Sequence, residues 1–456
     1  MLGDDERFSG SSERANRSPL GRSRPDRGAP NRGHPMIRPY RWFQPWVFLL
    51  LPVLASLLAW AVPGEGTYLR GFAVRSDFSP SAAFALGAWY LACVLVLAFG
   101  SAVGRSIRQS PVLLAAEQNA AFEQYFYRTL TAFALVGVGG AYYLISRELS
   151  ILAAIQSDQA NLLSQALLDG SSVGTLRYAV TVAAPVGLIL AIERKASWLS
   201  AGLNVILLLS VVLLSSRLSL IMATAVFVFL YFQRRPNGRL RVGIAVSAGT
   251  VLFLLLAVFN YTRNANYYRS FGVDNPIAMN VYQILSYVGA PSQVSVGVAD
   301  AIVGGRFPVN VSALQALQAV VPTFLQATKG DKSAAVDLGL YAYQVDIAPN
   351  LNANSSFADV YAQWGWWGLF YTLIVLGVAA AIYSHFRRYQ SVVAVLAAVM
   401  GYGFLEYWRG YLFNTGNVVF LVLIILLSAW TARLLVSLRR SDLPSPNGRQ
   451  FSLGDH

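Results

Sequence analysis

Cysteine is nearly absent from this chain. The single Cys93 lies inside an apolar run, so the chain can form neither a disulfide framework nor a thiolate metal site. Histidine is almost as scarce: His34 and His456 fall in tails and His385 between two apolar runs, a distribution that builds no His-rich metal centre. Charge is thin as well. Only 12% of the residues are charged against 55% hydrophobic, whereas a soluble domain carries about a quarter charged residues. One aqueous globule cannot hide that much apolar surface, and lipid is the natural solvent. The net charge of +13 is concentrated in an Arg-rich N-terminal tail and in short loops between apolar runs. Basic clusters beside apolar runs set membrane orientation, which leaves nucleic acid out as a partner.

What is present is a series of apolar runs. Residues 1–43 are rich in Arg, Ser, Pro and Gly and are expected to be a disordered, basic cytoplasmic tail. No small-residue cleavage site follows a short apolar core there, which argues against a signal peptide. Candidate spans run over 44–62, 82–103, 128–146, 177–192, 198–215, 218–232 and 242–260, and then over 366–384, 390–405 and 411–433. Crossing the hydrocarbon layer takes about 20 residues, so the short runs 177–192, 218–232 and 390–405 should extend into their flanks. Residues 149–168 show helical apolar spacing broken by Gln156, Asp158, Gln159 and Asn161 and read as an interfacial or loop helix. The fold class is therefore an all-α polytopic membrane protein of about ten transmembrane helices. Spans one to seven fall in 44–260, a large outer-face helical loop in 261–365, spans eight to ten in 366–435 and a cytoplasmic tail in 436–456.

Basic residues fix the orientation. With the N-terminus inside, the short inner loops carry Arg105, Arg108, Arg194, Lys195, Arg234, Arg235, Arg239, Arg241, Arg387 and Arg388. The short outer loops carry Arg70, Arg75, Arg147, Arg177, Arg217 and Arg409. The excess on the inner side, with both basic tails added, favours both termini in the cytoplasm. The 261–365 loop is then external. Its apolar helical stretches near 277–303 and 310–328 predict a small folded cap on the bundle.

Several outer arginines stand where the orientation rule does not call for them. Arg217 interrupts LLSSRLSL, Arg263 and Arg269 follow the seventh span in NYTRNANYYRS, Arg306 lies in the large loop, and Arg409 sits in EYWRGYLFN between the last two spans. Ionisable groups at a membrane boundary pair, snorkel or mark a substrate path, and arginine's planar fork suits phosphate and pyrophosphate. Glu406 and Arg409 are spaced to share a helical face, where an ion pair is the simplest reading. Asp359, just before the eighth span, could be a general base or a partner for a sugar hydroxyl. The segment NLNANSSFADVYAQWGWWGLF places Asn352 and Asn354 ahead of a short helix. Gly365 and Gly368 then turn the chain into the next span beside Trp364, Trp366 and Trp367. Such tryptophans are ordinary at a membrane interface, but amides and aromatic faces also suit carbohydrate.

That pattern of an Asn-rich stretch, a short helix and Gly-x-x-Gly opening an apolar span, after a large outer loop, resembles the Wzy-type O-antigen and exopolysaccharide repeat-unit polymerases. Ser216–Arg217 at a mid-chain span junction and Arg409 near the penultimate outer turn resemble arginines of that family. The resemblance covers the general plan over roughly 45–435 and implies a fold similar to the glycosyltransferase C class. It implies a membrane glycosyltransferase of the bacterial plasma membrane that joins oligosaccharide units carried on undecaprenyl pyrophosphate at the outer face. It implies no metal or other cofactor, with a flippase and a chain-length regulator as partners besides the bilayer. Arg217, Arg409, Asp359 and Glu406 would then be catalytic, and Arg263, Arg269, Arg306, Asn352, Asn354 and Trp364 would bind substrate. O-antigen ligases share the plan but typically carry an outer-loop histidine; Asn354 stands in that neighbourhood here. A ligase-like glycan transfer and a transporter of an anionic lipid-linked substrate are the alternatives, although no pair of interrupted helices in related halves is visible.

Overall fold

A computed structural model describes residues 43–63, 68–69, 72, 75–76, 78–117, 119–148, 150, 175–214, 217–234, 239–322, 325 and 354–441. The basic tail, most of the 149–168 stretch, Ser216, Asn352 and residues 442–456 lie outside the described residues. Thirteen helices are described. They are α1 Pro45–Ala61, α2 Pro80–Ser106, α3 Pro111–Glu117, α4 Ala120–Glu148, α5 Val180–Ile192 (entered through a 3-10 turn, Arg177–Ala179), α6 Trp198–Leu213 and α7 Arg217–Arg234. They continue with α8 Arg239–Arg269, α9 Pro276–Val303, α10 Ala313–Ala316, α11 Ser356–Phe386, α12 Val395–Glu406 and α13 Gly416–Ser441. No strand occurs among the described residues.

Four helices are long and apolar enough to cross a membrane: Pro80–Ser106, Ala120–Arg147, Ser356–Phe386 and Asn417–Arg439. Shorter apolar helices occupy Pro45–Ala61, Arg177–Ile192, Trp198–Leu213, Leu218–Arg234, Val246–Tyr261 and Val392–Glu406. Every apolar run predicted from the sequence thus coincides with a helix. This is a helical membrane protein.

One end of the bundle, called the lower end here, is stitched by polar contacts. Glu123 at the start of α4 accepts from Lys195, 2.6 Å away in the α5–α6 turn, and from Arg234 at the end of α7. Glu193 pairs with the same two cations at 3.2 and 3.0 Å. Gln233 donates to the carbonyls of Arg387 and Tyr389, Arg387 donates to the Phe43 carbonyl, and Arg388 donates to those of Arg105 and Ile107. The basic residues predicted for the inner loops that can be placed this way therefore gather at one end. The opposite, upper end carries the start of α2, α7 and α11 and the α12–α13 turn.

Small residues set the packing. The sequence Gly100-Ser-Ala-Val-Gly104 on α2 meets Gly377 and Ala381 on α11. A Cβ added at Gly100 would lie 2.1 Å from the Gly377 carbonyl oxygen, and one at Gly104 2.2 Å from that of Ala381. The two backbones touch, which is the usual reason for Gly-xxx-Gly between membrane helices. In α11 a single residue, Gly365 (φ 60°, ψ −153°), departs from helical geometry. This conformation is essentially restricted to glycine. It separates the short predicted helix from the long apolar one, while Gly368 stays helical and leaves room for Trp364.

The described part of the 261–365 segment packs onto the bundle. Helix α8 runs on to Arg269, and α9 packs against α1, α2 and α8. Ser56 of α1 donates to the Val288 carbonyl (2.6 Å) and is bonded to Ser292 (2.7 Å), and Trp60 donates to Gln293 (2.6 Å). The polar side chains of α9 are drawn inward because the bundle supplies partners that lipid cannot.

Candidate functional site

At the upper end a water-sized cleft of about 10 Å³ lies between the entry to α5, the first turns of α7, the end of α12 and the start of α13. Its walls are Tyr178, Leu218, Ser219, Met222, Tyr402, Leu412, Asn417 and Val418. Thr181 donates to the Tyr178 carbonyl at 2.7 Å and reaches the Met222 sulfur at 3.6 Å, which fixes α5 against α7 along one wall.

Two of its wall residues directly follow an arginine in the chain, and a third arginine stands in the turn after α12. Arg409, in the turn after α12, donates through Nε to the Glu406 carboxylate at the last residue of that helix. Glu406 is buried and the Arg409 side chain only partly exposed. Burial acts to lower the Arg409 pKa, but Glu406, Tyr402 and Tyr287 outweigh it and hold the guanidinium above its ordinary range. The buried Tyr402 hydroxyl lies beside both charges without a hydrogen bond of good geometry, and its side chain forms part of the cleft wall. Arg217 is the first residue of α7, immediately before the wall residues Leu218 and Ser219. Arg177 stacks over the Tyr178 ring at 4.6 Å and donates to its hydroxyl at 3.1 Å. Arg177 was counted in the sequence only as a loop charge. Its value as a site residue comes from the 3-10 turn that presents the neighbouring Tyr178 to the cleft, and nothing in its sequence neighbourhood signals that.

The other sequence candidates lie on different elements. Asn354 and Asp359 flank the buried N-cap of α11, where Ser355 accepts from Ser295 (2.7 Å) and from the Ala358 amide (3.3 Å). Trp364 packs half-buried on the core close to Gly368, and Tyr361 beside it donates to the Phe307 carbonyl at 3.3 Å. Arg269 is exposed, donating to the Tyr261 hydroxyl at 2.5 Å with its guanidinium 5.4 Å from that ring. Arg306 is ion-paired with Asp300 in the turn after α9. Arg263 lies on the upper part of α8. The structure thus unites Arg409, Glu406 and the start of the Arg217 helix, and leaves Arg269 and Arg306 with partners of their own.

The α12–α13 turn also presents a second, inward face. Tyr407 lies against Cys93 and Tyr90, and Tyr411 against Thr372. Both tyrosines are buried, so the turn that holds Arg409 is anchored in the bundle and not free to swing. Among the described residues no group of three His, Cys, Asp or Glu is placed to hold a metal ion. No protein-family model, no curated protein and no solved structure matches this chain.

Proposed function

We propose that the chain is a membrane glycosyltransferase that polymerises oligosaccharide repeat units carried on undecaprenyl pyrophosphate, with the diphosphate bound at the upper end beside Arg409. In this reading all ten apolar helices cross the bilayer, in an arrangement like that of the glycosyltransferase C class. The lower end faces the cytoplasm of a bacterium and the upper end faces outward. The observation that carries the proposal is the Arg409–Glu406 pair beside Tyr402 at the upper end, where Tyr178 and Leu218, which follow Arg177 and Arg217 in the chain, lie close to Tyr402.

The chemistry follows from the groups. A sugar hydroxyl of the incoming unit attacks the anomeric carbon of the donor glycan, and the bond from that carbon to the diphosphate oxygen breaks. Negative charge then grows on the departing diphosphate. Guanidinium groups fixed beforehand stabilise that charge without having to reorganise, and arginine does so through paired donors. Glu406 positions Arg409 and offsets its burial. Asp359, in the first turn of α11, is the candidate to take the acceptor proton.

The test is complementation of a deletion strain with Arg217→Ala, Arg409→Ala and Arg177→Ala, with glycan length read on gels and membrane levels read by immunoblot. Loss of long-chain glycan at normal protein level is expected for Arg217 and Arg409. Long chains in normal amount and length from both variants would end the proposal. Translocation of a lipid-linked sugar by purified protein without elongation would replace it with transport.

A further inference from the structure

We propose that the segment from Phe307 to Pro322, part of the small outer cap expected from the sequence, is a wedge lodged in the lipid of the upper leaflet. Nothing in this inference depends on the reaction.

The sequence gives the first reason. No Asp, Glu, Lys or Arg occurs from Phe307 to Thr328, although an external surface loop would ordinarily be charged. The structure gives the second. Around α10 and the 3-10 turn that follows it, Ala316 and Ala319 face the protein and are fully buried. Leu314, 78% exposed, points away from the protein together with Leu317 and Val320. The outward face thus carries these apolar side chains beside Ser312, Gln315 and Gln318, which are also exposed, the mixture expected of a segment at the boundary between headgroups and acyl chains. In water that arrangement exposes a row of large side chains for no gain; against acyl chains it is favourable.

The third reason is continuity. The α10 segment packs on α11, and α11 is one of the helices long and apolar enough to span a bilayer. The exposed face of α11 carries Trp366, Trp367, Phe370, Ile374 and Val378, a stripe that begins with the aromatic pair typical of a headgroup boundary. The wedge extends that lipid-facing stripe sideways. Its attachment is specific: the Val309 carbonyl lies against Gly365, at the break in α11.

The occupant of this surface is thus the bilayer, not a second protein. Single cysteines at Leu314 and Leu317 in the full-length protein, labelled with an environment-sensitive fluorophore in nanodiscs, test this. Cys93 is buried and serves as the unlabelled background, and Arg108→Cys, on an exposed lower-end loop, is the aqueous reference. The expected result is iodide quenching several-fold weaker at 314 and 317 than at 108, with strong quenching by nitroxide on lipid chains. Quenching by iodide equal to that at 108 would overturn the proposal. Shielding from both iodide and lipid nitroxide would also overturn it, because a protein would then cover the face. Leu314→Ser, at a position with little packing to lose, is a companion variant. An unchanged melting temperature in detergent, with a smaller bilayer-dependent stabilisation in nanodiscs, is expected from it. Equal stabilisation of the variant and the parent protein by the bilayer would count against the wedge.

Discussion

Replacing Glu123 with Gln should destabilise the protein far more than removing the lysine it binds. The Glu123 side chain is 1% exposed and accepts from both Lys195 and Arg234. The Arg234 side chain is 7% exposed, and the Lys195 side chain 36%. Removing one partner of a buried ion pair costs about 3–5 kcal/mol, because the other charge is left uncompensated. Arg234 keeps Glu193 at 3.0 Å, so the loss should fall at the lower end, about 3 kcal/mol, or roughly a hundredfold in the folding equilibrium. Lys195→Ala removes a cation that solvent already screens and should cost at most about 1 kcal/mol. Combining Glu123→Gln with Arg234→Gln removes both buried charges, and the double variant should fall short of the summed single costs by about 1 kcal/mol or more. Reversible unfolding of purified protein in mixed micelles, followed by tryptophan fluorescence, gives all four values. Equal costs for Glu123→Gln and Lys195→Ala, or strict additivity of the double variant, would refute the reasoning. The cluster matters for function because it fixes the lower ends of α4, α5 and α7, and the last two carry Arg177 and Arg217 at their upper ends.

Gly365→Ala places a side chain in a conformation L-residues avoid, with its Cβ 3.0 Å from the Val309 carbonyl oxygen; a loss of about 1–3 kcal/mol is expected in the same unfolding assay. Gly100→Val on α2 drives a side chain into the α11 backbone, and overpacking of this kind costs about 1–3 kcal/mol or more. Gly87→Ala on the same helix meets nothing within 4 Å and should be neutral or slightly stabilising, so equal thermal stability of the two variants would contradict the close helix contact. Arg177→Ala should lower glycan yield in the complementation assay while the melting temperature moves little, since the side chain stacks on the cleft residue Tyr178.

Apolar length made most of the architecture legible. Each long run became a helix because nothing else satisfies the backbone in lipid. The boundaries were harder. Helix α8 continues past its apolar run because Asn264 bonds to Asn260 (2.8 Å) and Gln283 (3.2 Å), so polar residues there are partnered and the helix need not stop. The inward face of helix α9 was not legible for a related reason. Its Gln283, Ser286, Ser292, Gln293 and Ser295 are buried, while Ile277, Val281 and Ile284 are exposed. The sequence shows the apolar helical stretch near 277–303, where the helix is found, but not which of its faces turns inward. Only tertiary partners such as Ser56 and Trp60, far away in sequence, reveal a helix turned inside out. The Glu406–Arg409 pair was legible because three-residue spacing is local. The nearness of Tyr178, Leu218 and Tyr402 was not, because it depends on how α5, α7 and α12 meet.

The two ends of the bundle use charge differently, and that contrast supports the functional reading. At the lower end Glu123 and Glu193 balance Lys195 and Arg234, and Arg387 and Arg388 donate to backbone carbonyls. Stability alone accounts for that arrangement. At the upper end Glu406 is directed at Arg409, and the wall residues Tyr178 and Leu218 follow Arg177 and Arg217 in the chain. In the proposed reading, a lipid-linked diphosphate reaches the Arg409–Glu406 pair from the bilayer itself, and the guanidinium held there in advance meets the anion without moving.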